Sequence, residues 1–171
     1  MSKRSPDPLV INGWTIFAHP MFLDPLETLI QKVEELKQKD PLGFSGKNAT
    51  KRLAEIAKLA FEVIPQKPAR SEYRQGNTLG AKHKHWLRAK FFQQVRLFFR
   101  THATSRVIVT AWVNDEETLR SYESRVDAYR VFRKRLENDR PPEDWDRLLS
   151  EASAESVRLR QLAKKSGAVP P

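Results

Sequence analysis

The chain has 171 residues, of which 39% are hydrophobic and 30% charged; its formal net charge is +10, and it contains no cysteine. This length predicts one domain, residues 1–150, with a partly helical and then disordered extension at 151–171. Without cysteine, disulfides, thiolate nucleophiles and Cys-ligated zinc are excluded, and a cytoplasmic location is expected. No apolar run approaches the roughly 20 residues that span a bilayer, and the basic start of the chain lacks the apolar segment of a secretory signal.

The first third of the chain predicts one strand and two helices. Residues 10–17 are rich in β-branched and aromatic side chains and are expected to form a short strand. Asp24 is expected to cap a first helix, with Pro25 at its first position. A second helix is expected over residues 48–64, ended by Pro65. Both helices are amphipathic and closely linked, which favours a helical hairpin with one buried face.

The remainder predicts a loop, a set of strands and further helices. Residues 65–84 are expected to be mainly loop. Three strand candidates follow with short gaps between them, which favours antiparallel hairpins; they are residues 86–92, 94–102 and 106–112. A helix is expected from Asn114 to the Pro141-Pro142 break, and a last helix from residue 143 to about 165. The predicted fold class is α+β, with an antiparallel sheet of three to four strands beyond the first.

Positive charge is concentrated between Gln66 and Asn114. This segment holds ten Lys or Arg and one acid, Glu72, which is +9 of the net +10. The first 65 residues carry nine bases and eight acids, and residues 115–171 carry twelve of each. Charge this localised favours a nucleic-acid surface. Because alternate side chains of a strand share a face, Arg88 and Lys90 are expected to point away from the apolar side chains beside them.

The basic loop before this strand carries two lysines and two histidines in alternation, followed by a tryptophan. Phosphate contacts by Lys82 and Lys84 are favoured over a metal site at His83 and His85, because no acid or cysteine stands nearby in the sequence. Trp86 is expected to stack on RNA bases. Other polar and aromatic residues are interpreted as structural: His19 as a hydrogen-bonding group, Asn114 and Asp115 as helix caps, and Trp112, Tyr129 and Trp145 as core.

Several short motifs, in order over about residues 12–145, resemble those of a known protein family. They include Asn12-Gly-Trp14, Trp86-x-Arg88-x-Lys90-Phe91, Arg96-Leu-Phe-Phe-Arg100, Ala111-Trp-x-Asn114 and Pro141-Pro-x-Asp-Trp145. In these motifs the chain resembles the YhaV-type toxins, a branch of the RelE/ParE superfamily of bacterial toxin–antitoxin systems. The resemblance implies a RelE/ParE-like fold and a cofactor-free, ribosome-associated endoribonuclease that cleaves mRNA. It also implies inhibition by a PrlF-type antitoxin and operator DNA binding by the complex.

The resemblance further implies a metal-free cleavage site. Its residues would be Arg88, Lys90, Arg96, Arg120 and Tyr122, with RNA contacts from Lys82, Lys84, Trp86 and Arg100. The superfamily often has lysine where Arg88 stands and an aromatic residue where Val95 stands. Since arginine cannot act as a general base at neutral pH, the proton-transfer roles stay open. Arg120 and Tyr122 are two residues apart and face different ways if both lie on a regular helix.

A basic strand face has a chemical use in RNA cleavage. It can align the 2′-hydroxyl with the phosphate and stabilise the charge of the pentacoordinate phosphate. Arginine forks and lysine ammonium groups both suit phosphate oxygens. The alternatives are a solvated strand face, a ParE-like topoisomerase poison without nuclease activity, and a non-catalytic RNA- or operator-binding module. The basic pattern argues against the ParE-like poison, and no helix-turn-helix or ribbon signature supports the binding module.

Overall fold

A mixed five-stranded sheet forms the centre of the protein. The computed structural model describes residues 8–91, 95–114 and 127–167. The strands are β1 (Leu9–Ile11), β2 (Trp14–Ala18), β3 (Leu87–Phe91), β4 (Val95–His102) and β5 (Val107–Val113), in the spatial order β1-β2-β5-β4-β3. β2 and β5 are parallel, and the other neighbours are antiparallel. The predicted α+β class and the three antiparallel strands β3–β5 are confirmed.

The single strand predicted over residues 10–17 is instead a hairpin of two strands. Asn12 and Gly13 connect β1 and β2, and both have left-handed backbone angles, with φ of 51° and 80°. An Asn-Gly pair is favoured in such two-residue turns because both positions need positive φ. The prediction was wrong because this dipeptide was not taken as a turn signal. The hairpin places β1 at one edge of the sheet and β2 beside β5.

Five helices surround the sheet in the described part of the chain. They are α1 (Pro20–Lys39), α2 (Asn48–Lys58), α3 (Asp127–Glu137), α4 (Trp145–Ser153) and α5 (Ser156–Lys165). α2 continues through a π-helical turn, Leu59–Val63, and one further turn, Ile64–Gln66. Pro65 therefore lies within the last turn rather than after it. None of the described helices combines the length and the apolar character that crossing a membrane requires.

The first helix begins one turn earlier than predicted. His19 is its N-cap, and the Nδ1 atom accepts a hydrogen bond from the Met21 backbone N–H at 3.2 Å. Pro20 occupies the first helical position, where its missing N–H leaves no bond unmade. Asp24 and Pro25, predicted as cap and first residue, lie inside the helix. The extended backbone of His19, with φ of −75° and ψ of 150°, places the cap five residues before the predicted one.

The last predicted helix, residues 143–165, is two helices, α4 and α5. α5 packs on α1, and its apolar side chains Leu159, Leu162 and Ala163 are buried in the same core cluster. The predicted boundary at residue 150 stays a prediction, although α5, which lies beyond that boundary, contributes to the core. The disorder predicted at the end of the chain, residues 168–171, lies outside the described residues.

The sheet separates two hydrophobic clusters. One cluster lies beneath α1, α2 and α5 and takes Leu97 and Phe99 from β4. The other lies beneath α3 and α4 and takes Phe98 from β4 together with Trp112 from β5. Phe132 of α3 stacks on both of these rings, with centroids 4.3 and 5.5 Å apart. The basic side chains of β3 and β4 share the face of Phe98, so they lie on the α3/α4 side of the sheet.

Candidate active site

Three basic residues of the β3–β4 hairpin lie on one face of the sheet. Lys90 is directly opposite Arg96, and Arg88 is directly opposite Phe98. The apolar neighbours on β3 face the other cluster, where Ala89 is 1% exposed. The predicted alternation of this strand is therefore confirmed. We call Arg88, Lys90 and Arg96 the basic triad.

The Lys90–Arg96 pair is energetically unfavourable for a sheet. Directly opposite residues of an antiparallel pair have Cβ atoms about 5 Å apart, and like charges there are destabilising. Lys90 is exposed and Arg96 is half-buried, so the cost is reduced by solvent but not removed. An anionic ligand that contacts both cations would stabilise such a pair.

Arg88 is the buried member of the basic triad, with 8% of its surface exposed. Its Nη1 donates to the Tyr129 hydroxyl at 2.9 Å, and its Nη2 donates to the Glu72 carbonyl at 3.3 Å. The guanidinium also lies over the Tyr129 ring, 5.9 Å from its centroid. These contacts hold the cation in one orientation, so it needs little reorganisation to meet a developing negative charge.

Tyr129 is a site residue that the sequence reasoning assigned to packing. Its ring does pack, edge-on against Phe98 at 5.8 Å. Its hydroxyl, however, is the acceptor for Arg88, across 41 residues of sequence. No local motif signals this contact, because it depends on where α3 crosses the sheet.

The backbone around Arg96 is fixed by Asn114. The Asn114 side-chain oxygen accepts from the Arg96 N–H at 2.8 Å, and the Asn114 N–H donates to the Arg96 carbonyl at 3.3 Å. Asn114 is fully buried, so its amide ties the start of β4 to the end of β5. It was predicted as a helix cap; the residues that follow, including Asp115, Arg120 and Tyr122, lie outside the described residues.

Arg100 and Trp86, both predicted to contact RNA, lie against each other. The Arg100 guanidinium lies over Trp86 at 5.5 Å and over Trp145 at 5.2 Å, and it donates to the Glu143 carbonyl at 2.7 Å. Burial lowers the pKa of this guanidinium. Trp86 is 0% exposed, so the prediction that it stacks on RNA bases is wrong for this conformation. The Trp86 ring packs against Phe132 and lies under the Arg100 guanidinium, and it has no exposed face for a base.

The two lysines of the basic loop are exposed, whereas its histidines contact an acid distant in sequence. His85 Nε2 is 2.7 Å from Glu143 Oε2, and His83 Nδ1 contacts Glu143 Oε1. Burial and then Arg100 lower the pKa of His85, while Glu143 opposes them. Lys82 and Lys84 extend into solvent beside this pair. Their predicted phosphate contacts stay a prediction.

A metal site is not built from these histidines. Each of the two contacting imidazole nitrogens points at an oxygen of Glu143, not at a common centre. Over the described ranges, no group of three or more His, Cys, Asp or Glu side chains is arranged to hold a metal ion. The sequence argument considered only acids near the histidines along the chain; in the fold Glu143, 58 residues from His85, contacts both histidines.

The comparisons with known proteins agree on one family. Residues 16–153 match the family model of the YhaV toxins, described as a toxin with endonuclease activity, of a toxin–antitoxin system. Toxin YhaV of Escherichia coli O6:H1 and ribonuclease toxin YhaV of Escherichia coli K12 are each 44% identical over 146 residues, 84% of this chain and 95% of the relative. No solved structure matches the chain significantly. The match covers β3, β4, β5, the last three residues of β2 and four of the five described helices, and the chain belongs to the YhaV family of toxins with endonuclease activity.

Proposed function

We propose that this protein is a ribonuclease toxin that cleaves mRNA in association with the ribosome, with cleavage at the basic triad Arg88, Lys90 and Arg96. The endonuclease description of the family and the name of a relative, ribonuclease toxin, support RNA as the substrate. The observation that carries the site is the opposed Lys90–Arg96 pair beside a buried, hydrogen-bonded arginine. If these residues formed only a solvated strand face, neither the opposed cations nor the buried arginine would be expected.

The chemistry that suits this surface is attack by the RNA itself. The 2′-hydroxyl oxygen forms a bond to phosphorus while the bond to the 5′-oxygen breaks, which leaves a cyclic phosphate and a free 5′-hydroxyl. One proton leaves the 2′-oxygen and one reaches the departing 5′-oxygen. Lys90 and Arg96 would contact the phosphate oxygens, and Arg88 would add a fixed positive charge behind them. Arg120 and Tyr122 remain proposed members of the site.

Guanidinium and ammonium groups supply all the cationic stabilisation in this proposal, so we expect cleavage to continue in chelator. The exposed Lys82 and Lys84 would guide the RNA along β3 toward the triad, in a salt-dependent way. The RNA contact predicted for Arg100 stays a prediction; its guanidinium lies over Trp86 and Trp145, and the side chain is half-buried.

A toxin of a toxin–antitoxin system has an antitoxin as its partner. We propose that this antitoxin is of the PrlF type and covers the basic triad with an acidic or sheet-pairing segment. β3 is an edge strand, and within the described residues only an isolated bridge from Arg74 to Leu87 flanks it, which leaves most of that edge open to pairing. The complex would bind operator DNA, and the free toxin would act in the cytoplasm, where mRNA and ribosomes are found.

Cleavage by purified protein tests the proposal. Wild type, Arg88→Ala and the control Lys67→Ala, an exposed base from the same basic segment, are assayed on free and on ribosome-bound mRNA with and without chelator. Loss of one preorganised charge is expected to reduce the rate about 100- to 1000-fold in Arg88→Ala. Lys67→Ala is expected to cleave like wild type. Equal rates for Arg88→Ala and wild type, at equal thermal stability, would contradict the site.

The same assay separates the alternatives. A topoisomerase poison or a non-catalytic binding module would leave mRNA intact at any concentration of wild type. Loss of activity in chelator, with the ribosomes kept intact by polyamine, would contradict the metal-free mechanism while leaving the substrate unchanged. Cleavage of free mRNA at the ribosome-bound rate would contradict the ribosome association.

A further inference from the structure

Glu143, in the segment between α3 and α4, contacts the basic loop (residues 82–85) and the tryptophan that follows it. Its Oε2 is 2.7 Å from His85 Nε2, and its Oε1 contacts His83 Nδ1. The same Oε1 accepts a hydrogen bond from the Trp86 indole N–H at 3.3 Å. An ionised carboxylate is an acceptor only, so it suits ring nitrogens that carry hydrogen. Three ring nitrogens from one short segment therefore converge on a single side chain.

The backbone of the loop explains why its lysines do not join this cluster. Ala81–His83 forms a 3₁₀ turn, and the Trp86 N–H donates to the His83 carbonyl at 3.1 Å. With three residues per turn, side chains at positions i and i+3 lie on one side, which brings His83 and Trp86 together. Lys82 and Lys84 occupy the other positions of the turn and are exposed. The conformation that turns the rings toward Glu143 therefore turns the lysines toward solvent.

The backbone of Glu143 is itself held in place. Arg100 Nη1 of β4 donates to the Glu143 carbonyl at 2.7 Å. The next residue, Asp144, is the N-cap of α4, and its side chain accepts from the Arg147 N–H at 2.9 Å. The carboxylate therefore reaches the loop from a fixed backbone. A fixed acceptor holds its donors at a smaller cost in conformational entropy than a mobile one does.

A second anchor, Gln75, holds the backbone of the loop. Gln75 is buried, and its Nε2 donates to the His83 carbonyl at 2.8 Å. Its Oε1 accepts from the Leu79 N–H at 3.2 Å, which fixes the chain that leads into the loop. Gln75 thus holds the main chain, whereas Glu143 holds the ring side chains. Loss of Glu143 is therefore expected to loosen the loop without detaching it.

We propose that Glu143 is a positioning residue for RNA binding, because its carboxylate holds the basic loop in the conformation that presents Lys82 and Lys84 to the RNA strand. The inference rests on the proposed function, since it takes RNA as the ligand of these lysines. A loop that is already ordered binds more tightly, because RNA does not have to supply the cost of ordering it. Glu143 itself makes no contact with RNA in this proposal.

The sign of the effect separates positioning from simple electrostatics. A carboxylate close to a phosphate chain repels it, so charge alone predicts that Glu143→Gln strengthens RNA binding. Positioning predicts that it weakens binding. Glu143→Asp isolates the geometry, because it keeps the charge and shortens the side chain by one methylene. The same two substitutions at Glu137, an exposed acid at the end of α3 that makes none of the loop contacts, are the matched controls.

RNA binding by these variants tests the inference. The probe is a short single-stranded RNA with 2′-O-methyl sugars, which lacks the attacking hydroxyl and is not cleaved. Its binding is measured by fluorescence anisotropy over a range of salt concentrations. The set also includes the double variant Lys82→Gln with Lys84→Gln, and the triple variant that adds Glu143→Asp to it.

We expect Glu143→Asp and Glu143→Gln to bind the probe about three- to tenfold more weakly than wild type, and the Glu137 variants to bind within about twofold of it. The lysine double variant should lose about 1.4 from the log–log salt slope, about 0.7 for each phosphate contact on a single strand. In the triple variant, Glu143→Asp should add less than about twofold, because no lysine is left to position. Unchanged or tighter binding by the Glu143 variants, or an undiminished effect in the triple variant, overturns the proposal.

Two further readouts distinguish positioning from a general loss of structure. ¹⁵N relaxation should show increased motion of residues 82–86 in Glu143→Asp, with β3–β5 as ordered as in wild type. In cleavage of unmodified RNA, KM should rise with kcat nearly unchanged, because the lost contacts act on binding and not on the reacting phosphate. A fall in kcat at unchanged KM contradicts the proposal. If Glu143→Asp does not fold, His85→Ala, which removes one loop contact at an exposed residue, replaces it in each comparison.

The cleavage assay also separates this inference from the proposed function. If wild type cleaves RNA while the Glu143 variants bind it as wild type does, the positioning role fails and the proposed function stands. If wild type neither binds nor cleaves RNA, both fail.

Discussion

The basic triad and a cavity of about 560 Å³ between α1, α2 and the end of α3 both bring basic residues together. The two groups of bases come from different kinds of sequence. The triad comes from one hairpin inside a segment of 49 residues that carries +9. The cavity draws Lys32 and Arg52 from a region with nine bases and eight acids, and Arg135 and Arg140 from a region with twelve of each. A count of charge along the chain therefore detects bases that lie on neighbouring strands. It does not detect bases that come together from distant helices.

The two regions also differ in how their charge is tolerated. In the triad, Lys90 and Arg96 are opposed across the ladder, and the repulsion is a direct cost to the sheet. In the cavity, the bases stand on separate elements around a space, and the lining acid Asp24 contacts Arg158 of α5. The opposed pair in the triad should therefore lower the stability of the protein more than bases on separate elements do.

The largest expected effect is at the triad, where loss of one base should lower the cleavage rate but not the stability. Lys90→Gln and Arg96→Gln are each expected to reduce the cleavage rate about 100- to 1000-fold, because each removes a cation aimed at the phosphate. Lys90→Gln should also raise the free energy of unfolding by about 0.2 to 1 kcal/mol, because the like-charge pair is gone. Arg96→Gln should gain less, because Arg96 Nη1 also donates to the Val95 carbonyl at 3.0 Å. Urea unfolding and single-turnover cleavage measure the two quantities, with Lys67→Gln as the control. A gain in stability without a loss of rate would identify the pair as a solvated strand face.

A smaller effect is expected from Tyr129, which holds Arg88 but is not assigned a contact with RNA. Tyr129→Phe keeps the ring against Phe98 and removes only the acceptor for Arg88 Nη1. We expect kcat to fall about tenfold with KM nearly unchanged, since one charge-assisted hydrogen bond is lost and the substrate contacts remain. If the kinetics of Tyr129→Phe equal those of wild type while Arg88→Ala is inactive, Arg88 does not need this hydroxyl.

The smallest effect concerns His19, which caps the helix that forms one wall of the cavity. Burial lowers the pKa of His19 below 6.5, and Glu151 opposes this. The unfolded chain then binds more protons than the folded one between the folded-state pKa and 6.5, so stability is full above that window and falls as the pH decreases through it. Protonation also removes the Nδ1 acceptor of the cap.

The variant that tests this is His19→Asn, which keeps a capping acceptor without a titratable group. Urea unfolding from about pH 7.5 to about pH 5 should show a shallower loss of stability than in wild type, with the part due to His85 retained. His19→Ala should lose about 1 kcal/mol relative to wild type at pH values where His19 is neutral, because the cap is absent. Identical pH profiles for wild type and His19→Asn would exclude His19 as a source of the acid sensitivity.

Much of the sheet was predictable because its signals are local. The apolar–basic alternation of β3 predicted which side chains share a face, and the short gaps predicted the antiparallel order of β3, β4 and β5. The β1–β2 hairpin was missed although its Asn-Gly turn is a local signal. The start of α1 was placed five residues late, because Asp24 and Pro25 are residue types typical of a helix start and the cap geometry of His19 is visible only in the structure.

The amino-acid sequence by itself determined the α+β class, the basic face of the β3–β4 hairpin and the family resemblance, because each depends on the order of residues within short segments. Only the tertiary structure decided that Tyr129 holds Arg88, that Glu143 contacts both histidines of the basic loop, and that Trp86 is buried. It alone also brought four bases from three regions around one cavity. These contacts join residues 41 to more than 100 positions apart, and they depend on how the helices pack across the sheet, for which no single segment carries a signal.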